Sequence, residues 1–318
     1  LRLEPNGPTY QRFADYDAAR KSVRTGGVGE AGVVTDALMN RFEERELMLN
    51  LKADRALGKG KWRVLGGYEI QRLGYRTFEG LTSKVPVPAT GGTTDIPNGR
   101  SLLQRDYTDG NIYGLDGGWV SLVQGALIYD TRDLEPDPSR GMYAEATTEV
   151  SDPVIGSNFS FAKVMVQGKF FRKLPVGPRT VAAARLAVGN IFGNKAPFFE
   201  FQDQWSPDGS INALGGRQSL RGYRANRFLA RSVAFANVEI RARLGETKLL
   251  KQRFSLTAVP FFDAGTVRDD WKDLNLTRWK YSWGGGIRIG WNQSTILSFD
   301  YGLSPEDRLL FFGIGQIF

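Results

Sequence analysis

The chain has 318 residues with a formal net charge of +8, and it contains neither histidine nor cysteine. Those absences exclude Ser-His-Asp catalysis, disulfides, thiolate chemistry and the commonest metal-ligand sets, so no metal or other cofactor is expected. No run of about 18 apolar residues is present to cross a bilayer as a helix, but strands of about 9–11 residues with alternating faces cross one with a composition that looks soluble.

The chain starts at Leu1 without a charged-then-apolar leader and reads as processed or trimmed. Period-2 alternation, the mark of a strand with two different faces, then recurs along its length. It predicts about twelve strands, near 28–38, 41–56, 61–77, 119–132, 141–151, 159–174, 180–192, 231–245, 252–268, 282–292, 294–303 and 308–318. Leu47, Leu49 and Leu51 oppose Glu46, Asn50 and Lys52. Met142, Ala144 and Ala146 oppose Glu145, Thr147 and Glu149. Ala162, Val164 and Val166 oppose Lys163, Gln167 and Lys169. The clearest case is 232–244, where Ala234, Val238 and Ile240 oppose Asn237, Glu239 and Arg241. Near the end, Ile287, Ile289, Leu297 and Phe299 share a face opposite Arg288, Ser298 and Asp300. The apolar faces are expected to meet lipid and the polar ones, including Glu239, Arg241, Asp263, Arg288 and Asp300, a lumen; a slip of one residue would invert every side chain.

Many of these runs reach 12–16 residues, longer than the 5–6 or so usual in soluble sandwiches. Short connections such as 58–60, 175–178 and 292–293 mix with long ones at 79–118 and 193–230, as in transmembrane barrels. The 79–118 segment, with Pro86, Pro88, Gly91, Gly92 and Pro97, reads as exposed irregular chain. Trp119, Trp271, Trp279, Trp283 and Trp291 fall near strand ends and suggest an interfacial aromatic belt. Pro260 lies mid-strand and predicts a bulge or local break. Gly284-Gly285-Gly286 lacks the strand–loop–helix context of a phosphate loop and reads as tight packing or a strand bend. Basic residues alternate with apolar ones instead of clustering, which removes nucleic acid as a partner.

One stretch of the long 193–230 connection stands out: Gly215-Gly216-Arg217-Gln218-Ser219-Leu220-Arg221-Gly222-Tyr223. Arg221 is either a solvated loop arginine or one that a glycine-permitted turn holds inside the barrel. Glu239 and Asp263 fall on the polar faces of neighbouring strands, and a guanidinium between them would pair with both.

Leu220-Arg221-Gly222-Tyr223 resembles the Val-Arg-Gly-Phe/Tyr loop motif of the BamA/TamA superfamily of outer-membrane assembly barrels, the bacterial surface antigen family. Four further stretches are similar to that family in the same order. Tyr129-Asp130-Thr131-Arg132-Asp133, followed by Pro138 and Gly141, resembles its strand-turn motif, with Asp130, Arg132 and Asp133 as the marker residues. Asn237-Val238-Glu239-Ile240-Arg241 and Phe261-Phe262-Asp263-Ala264-Gly265 resemble its two strands after the loop. Gly313 to Phe318, ending in an aromatic, resembles its C-terminal signal. The resemblance covers about 119–318, and 41–78 fits less specifically.

The resemblance implies an all-β transmembrane antiparallel barrel in the bacterial outer membrane. About twelve strands are visible of a family barrel of sixteen, and a long loop is inserted in the lumen. It implies that Arg221 sits against Glu239 and Asp263. The whole of 1–318 then reads as one barrel domain lacking its N-terminal strands, with too few residues ahead of the 41–56 strand for a POTRA domain. The implied activity is help in inserting or translocating outer-membrane proteins, without an enzymatic step. The alternative is a passive pore, anchor or scaffold in a larger outer-membrane complex. Outer-membrane lipid, unfolded outer-membrane proteins and other subunits of such a complex are the implied partners.

Overall fold

The computed structural model describes residues 2–4, 7–9, 42–58, 60–87, 92–97, 100–177, 179–275, 277–292 and 295–318. Eleven strands form one antiparallel sheet in which each pairs with the next along the chain. They are β1 (Phe42–Leu57), β2 (Trp62–Thr77), β3 (Gly118–Asp130), β4 (Gly141–Ser151), β5 (Ser160–Leu174), β6 (Thr180–Lys195), β7 (Ser232–Leu249), β8 (Gln252–Arg268), β9 (Lys280–Trp291), β10 (Thr295–Leu303) and β11 (Arg308–Ile314). The sheet is the wall of a transmembrane barrel. The strand expected near 28–38 lies outside the described residues, and a small ladder joins Arg2–Glu4 to Gly7–Thr9.

Alternation sets the two faces. Val238, Phe262, Ile287, Phe299 and Phe312 are exposed on the outer face, where apolar side chains meet acyl chains. On the inner face Gln167, Arg185, Glu239, Asp263, Arg288 and Asp300 are buried. Trp119, Tyr281 and Trp283 are exposed near the long-loop end, and Trp62 and Trp291 near the short-turn end. That places an aromatic ring of residues at each bilayer interface.

What fills the lumen is the chain itself. The 196–231 connection enters the barrel through a short 3-10 turn (Phe198–Gln202) and a two-residue ladder between Asp203–Gln204 and Ile211–Asn212. Leu214, Leu220, Tyr223 and Phe228 then pack against Met165, Ala187, Val233 and Phe235 of the wall. Ala183 and Ala187, both fully covered, keep the inner face of β6 shallow enough to admit this insert.

Two local expectations need correction, and a third is met as a local break without a bulge. The 79–118 connection is not irregular: it carries a hairpin (Thr82–Val87 with Gly92–Pro97) and a helix, Leu102–Thr108. Ser101 caps that helix by accepting from the Gln104 N–H at 3.0 Å, and Leu103 packs with Phe42, Leu73, Leu115 and Phe198 over the mouth. Pro86, Gly92 and Pro97 lie within the paired strands of that hairpin. Second, the final strand stops at Ile314, because Gly315 (φ +85°) turns the chain inward. Third, Pro260 leaves a gap in the β7–β8 ladder without changing its register; the register shift lies further along, between Arg243 and Gly245. The Gly284–Gly286 run is a packing device: a Cβ at Gly284 would come within 2.6 Å of the Phe261 ring, whereas one at Gly285 would meet nothing within 4 Å.

Candidate functional site

Strand parity puts Glu239, Asp263 and Asp300 on the inner faces of β7, β8 and β10, and the Gly215–Tyr223 segment lies across them. Gly222 adopts φ +90°, and a Cβ there would press on the Leu303 backbone at 2.9 and 3.0 Å, so only glycine lets the loop lie this close to β10. Arg221, fully buried, donates from Nε to Asp263 Oδ2 and from Nη2 to Asp263 Oδ1, both at 2.8 Å, a bidentate fork. Its Nη1 lies 2.7 Å from Glu239 Oε1 and 3.4 Å from Asp300 Oδ1. Its backbone N–H also donates to Asp263, at 3.1 Å. The guanidinium carbon sits 3.4 Å from the centre of the Phe261 ring.

The cluster extends beyond these residues. Arg241 Nε donates to Glu239 Oε2 at 2.9 Å, Arg288 Nη1 lies 3.0 Å from Asp300, and Asn237 Nδ2 donates to Asp263 at 2.7 Å and to the Ser219 carbonyl at 2.8 Å. Three arginines thus face three acids, and a fourth buried arginine, Arg185, donates to Asn237 Oδ1 at 3.0 and 2.8 Å. Asp300 is the partner that sequence reasoning does not bring to Arg221, although the same parity that selects Glu239 and Asp263 selects it too. Among the described residues no cluster is arranged to hold a metal ion.

The other marker residues act at the far end of the insert. Arg132 pairs with Asp130 at 2.8 Å and reaches Asp208 of the luminal loop at 3.2 Å, with its guanidinium 4.5 Å from the Tyr143 ring. Lys169 pairs with the same Asp208. Asp133 does not touch the loop; it accepts the Ser139 and Arg140 backbone N–H groups at 2.8 and 3.2 Å and so shapes its own turn. Leu220 and Tyr223 anchor the loop by packing, Tyr223 against Phe228 with ring centres 5.2 Å apart. Near the mouth, Arg224 and Arg227 pair with Asp307 and Glu306 at 3.2 and 2.8 Å. Gly313 and Phe318 lie away from Arg221: Gly313 is on β11, and Phe318 is folded into the lumen against Phe171.

A second buried patch holds the loop's entry. Lys163 lies 2.9 Å from Glu200 and 3.3 Å from Glu149. Burial pushes the Asp203 carboxyl up to about 6, with Lys163 opposing the rise and Glu149 and Glu200 adding to it. Burial raises Glu200 as well, again against Lys163. An acid whose folded-state value is raised contributes stability that is fully present below its unfolded value and lost as pH climbs through the folded one. The barrel should therefore melt at a lower temperature at about pH 7.5 than at about pH 5. Asp203→Asn should narrow that difference, read by tryptophan fluorescence. An unchanged pH profile in the variant would refute this assignment.

The Omp85 superfamily domain model matches residues 42–318. Among solved structures, BamA from Haemophilus ducreyi lacking POTRA domains 1–3 superposes with a TM-score of 0.58 at 15% identity, over 87% of this chain and 54% of that one. The chain therefore spans about half the length of that structure, and the likeness is one of fold. No curated protein sequence matches.

Proposed function

The chain belongs to the Omp85 superfamily and is an outer-membrane β-barrel, and from that premise we propose that it assists the insertion or translocation of other outer-membrane proteins by offering them a strand edge. The observation that carries this reading is β1. Among the described residues this sixteen-residue strand is paired only with β2, and both its faces are open, with Leu47 72% and Met48 53% exposed. A row of backbone donors and acceptors at membrane depth is costly unless another strand covers it. An extended segment with matching alternation is the natural partner, by β-augmentation. The passive-pore reading is disfavoured by the luminal loop, whose ion pairs run from Asp208 beside the strand-turn motif to Arg227 at the mouth.

The test uses the purified protein in lipid vesicles with a small, urea-unfolded outer-membrane protein as client. Client folding should be faster than in protein-free vesicles, and a photo-crosslinker at Asn50 on β1 should capture the client more often than one at Val166 on the outer face of β5. Equal folding rates together with no capture at position 50 would refute the proposal.

A further inference from the structure

Arg217 stands four residues before Arg221 on the same loop and reaches a different part of the wall. Its Nη2 donates to Ser298 Oγ on β10 at 2.7 Å and to the Gly315 carbonyl at 3.1 Å, with the Ile314 carbonyl at 3.5 Å. Ser298 Oγ in turn donates to the Gly313 carbonyl at 3.0 Å. The guanidinium lies flat across β11 because position 313 has no side chain: a Cβ there would stand 2.6 Å from Arg217 Nε and 2.8 Å from Nη1. The carbonyls it grips are those at which β11 ends and the chain turns into the lumen.

Beyond that turn, residues 316–318 are held by side chains of the wall and of one of its turns. Gln316 accepts from Arg288 Nε at 3.2 Å and donates to Asp137 at 3.0 Å. Ile317 and Phe318 are 8% and 6% exposed. Arg241 Nη2 donates to the Phe318 carbonyl at 2.8 Å, and the Arg185 and Arg241 guanidiniums stand 5.0 and 5.2 Å from the Phe318 ring. Arg185 also donates to the Gln218 carbonyl, next to Arg217. Loop and inturned segment are therefore fastened to each other at two points, Arg217 and Arg185.

We propose that Arg217 is a latch that couples the seating of the luminal loop to the end of β11: while the loop is seated, residues 315–318 are bent into the lumen, and when Arg217 withdraws they are free to swing out and lengthen the β11 edge. In a continued β11, Phe318 would share the outer face of Phe312 and Ile314, with Gln316 as the one polar residue between them. The use of a longer edge rests on the strand-edge reading above, but the coupling itself does not.

The absence of cysteine makes a single-cysteine test clean. In an Ile317→Cys background, the folded protein in vesicles is alkylated with a soluble maleimide and the rate at position 317 is measured without any client. Arg217→Ala should raise the rate about tenfold or more, since two hydrogen bonds from a charged donor are lost. Gly313→Ala should do the same with Arg217 intact, by pushing its flexible guanidinium aside. Arg217→Lys should fall between. Arg224→Ala removes the same loop's ion pair to Asp307, which precedes β11 at the opposite end from Gly315, and should leave the rate unchanged. The latch is overturned if Arg217→Ala and Gly313→Ala both leave the thiol at position 317 as slow as in the background. It is equally overturned if Arg224→Ala accelerates alkylation as much as they do, which would mean general loosening. Because no client is present, either failure leaves the strand-edge proposal standing.

Discussion

Arg221→Ala is expected to destabilise the barrel by about 3–5 kcal/mol, the range for breaking a buried ion pair from one side. The figure applies at full strength because Arg221, Glu239, Asp263 and Asp300 are all fully buried, so no solvent screens what remains. Asp263 would lose both guanidinium donors of the fork and keep only neutral ones, Asn237 Nδ2 and the backbone N–H of position 221. Glu239 would retain Arg241 at 2.9 Å and Arg288 at 3.8 Å. The cost therefore concentrates at Asp263. Arg221→Lys keeps the charge but cannot form the fork on Asp263, reach Glu239 and cover the Phe261 ring together, so it should recover less than half of the loss. Adding Asp263→Asn to Arg221→Ala removes the stranded charge and should return part of the stability, a coupling that a double-mutant cycle measures. The readouts are urea unfolding in vesicles and protease cleavage within 205–225. A loss under about 1 kcal/mol, within the range of a surface ion pair, would show that the cluster does not hold the loop.

The alternation of side chains makes the wall legible: eleven strands lie where the sequence puts them, and Glu239 and Asp263 face inward on the parity that selects them. Composition cannot show the turn at Gly315. The sequence reading carries the last strand on to Phe318, and what bends the chain instead is a positive φ together with donors from three other elements: Arg217 of the luminal loop, Arg288 of β9 and Arg241 of β7. Arg217 is equally hidden, because its seat on β11 is a glycine, a partner defined by a missing side chain. The helix at Leu102–Thr108 is illegible because it is a short turn of chain between punctuating residues, below the length at which a 3.6-residue period can be read. Asp300 is legible in face but not in partner, since parity says which side a residue faces and says nothing of which loop comes to meet it.

Gly302→Ala is the second large effect expected, and it tests the loop's seat without removing any charge. Gly302 lies on the inner face of β10, where a Cβ would stand 2.8 Å from the Arg221 carbonyl carbon and 3.1 Å from Arg221 Cβ, and closer still to the Gly222 nitrogen. These are mostly backbone atoms, pinned on the other side by Asp263, so they cannot step aside as the end of a side chain would. Overpacking of this kind costs about 1–3 kcal/mol when the surroundings stay in place. Here they cannot: relief requires the loop to back away from β10, and that stretches the fork on Asp263. The predicted signature is non-additivity. Gly302→Ala alone should reproduce most of the protease sensitivity of Arg221→Ala, and adding it to Arg221→Ala should cost little more, because the contact it disrupts is already lost. Gly285→Ala supplies the control: its Cβ meets nothing within 4 Å on the outer face of β9, and it should stay within about 0.5 kcal/mol of the parent. Fully additive losses in the double variant would mean that Gly302 and Arg221 act on separate parts of the barrel, and the loop's position would then not depend on the glycine-lined wall.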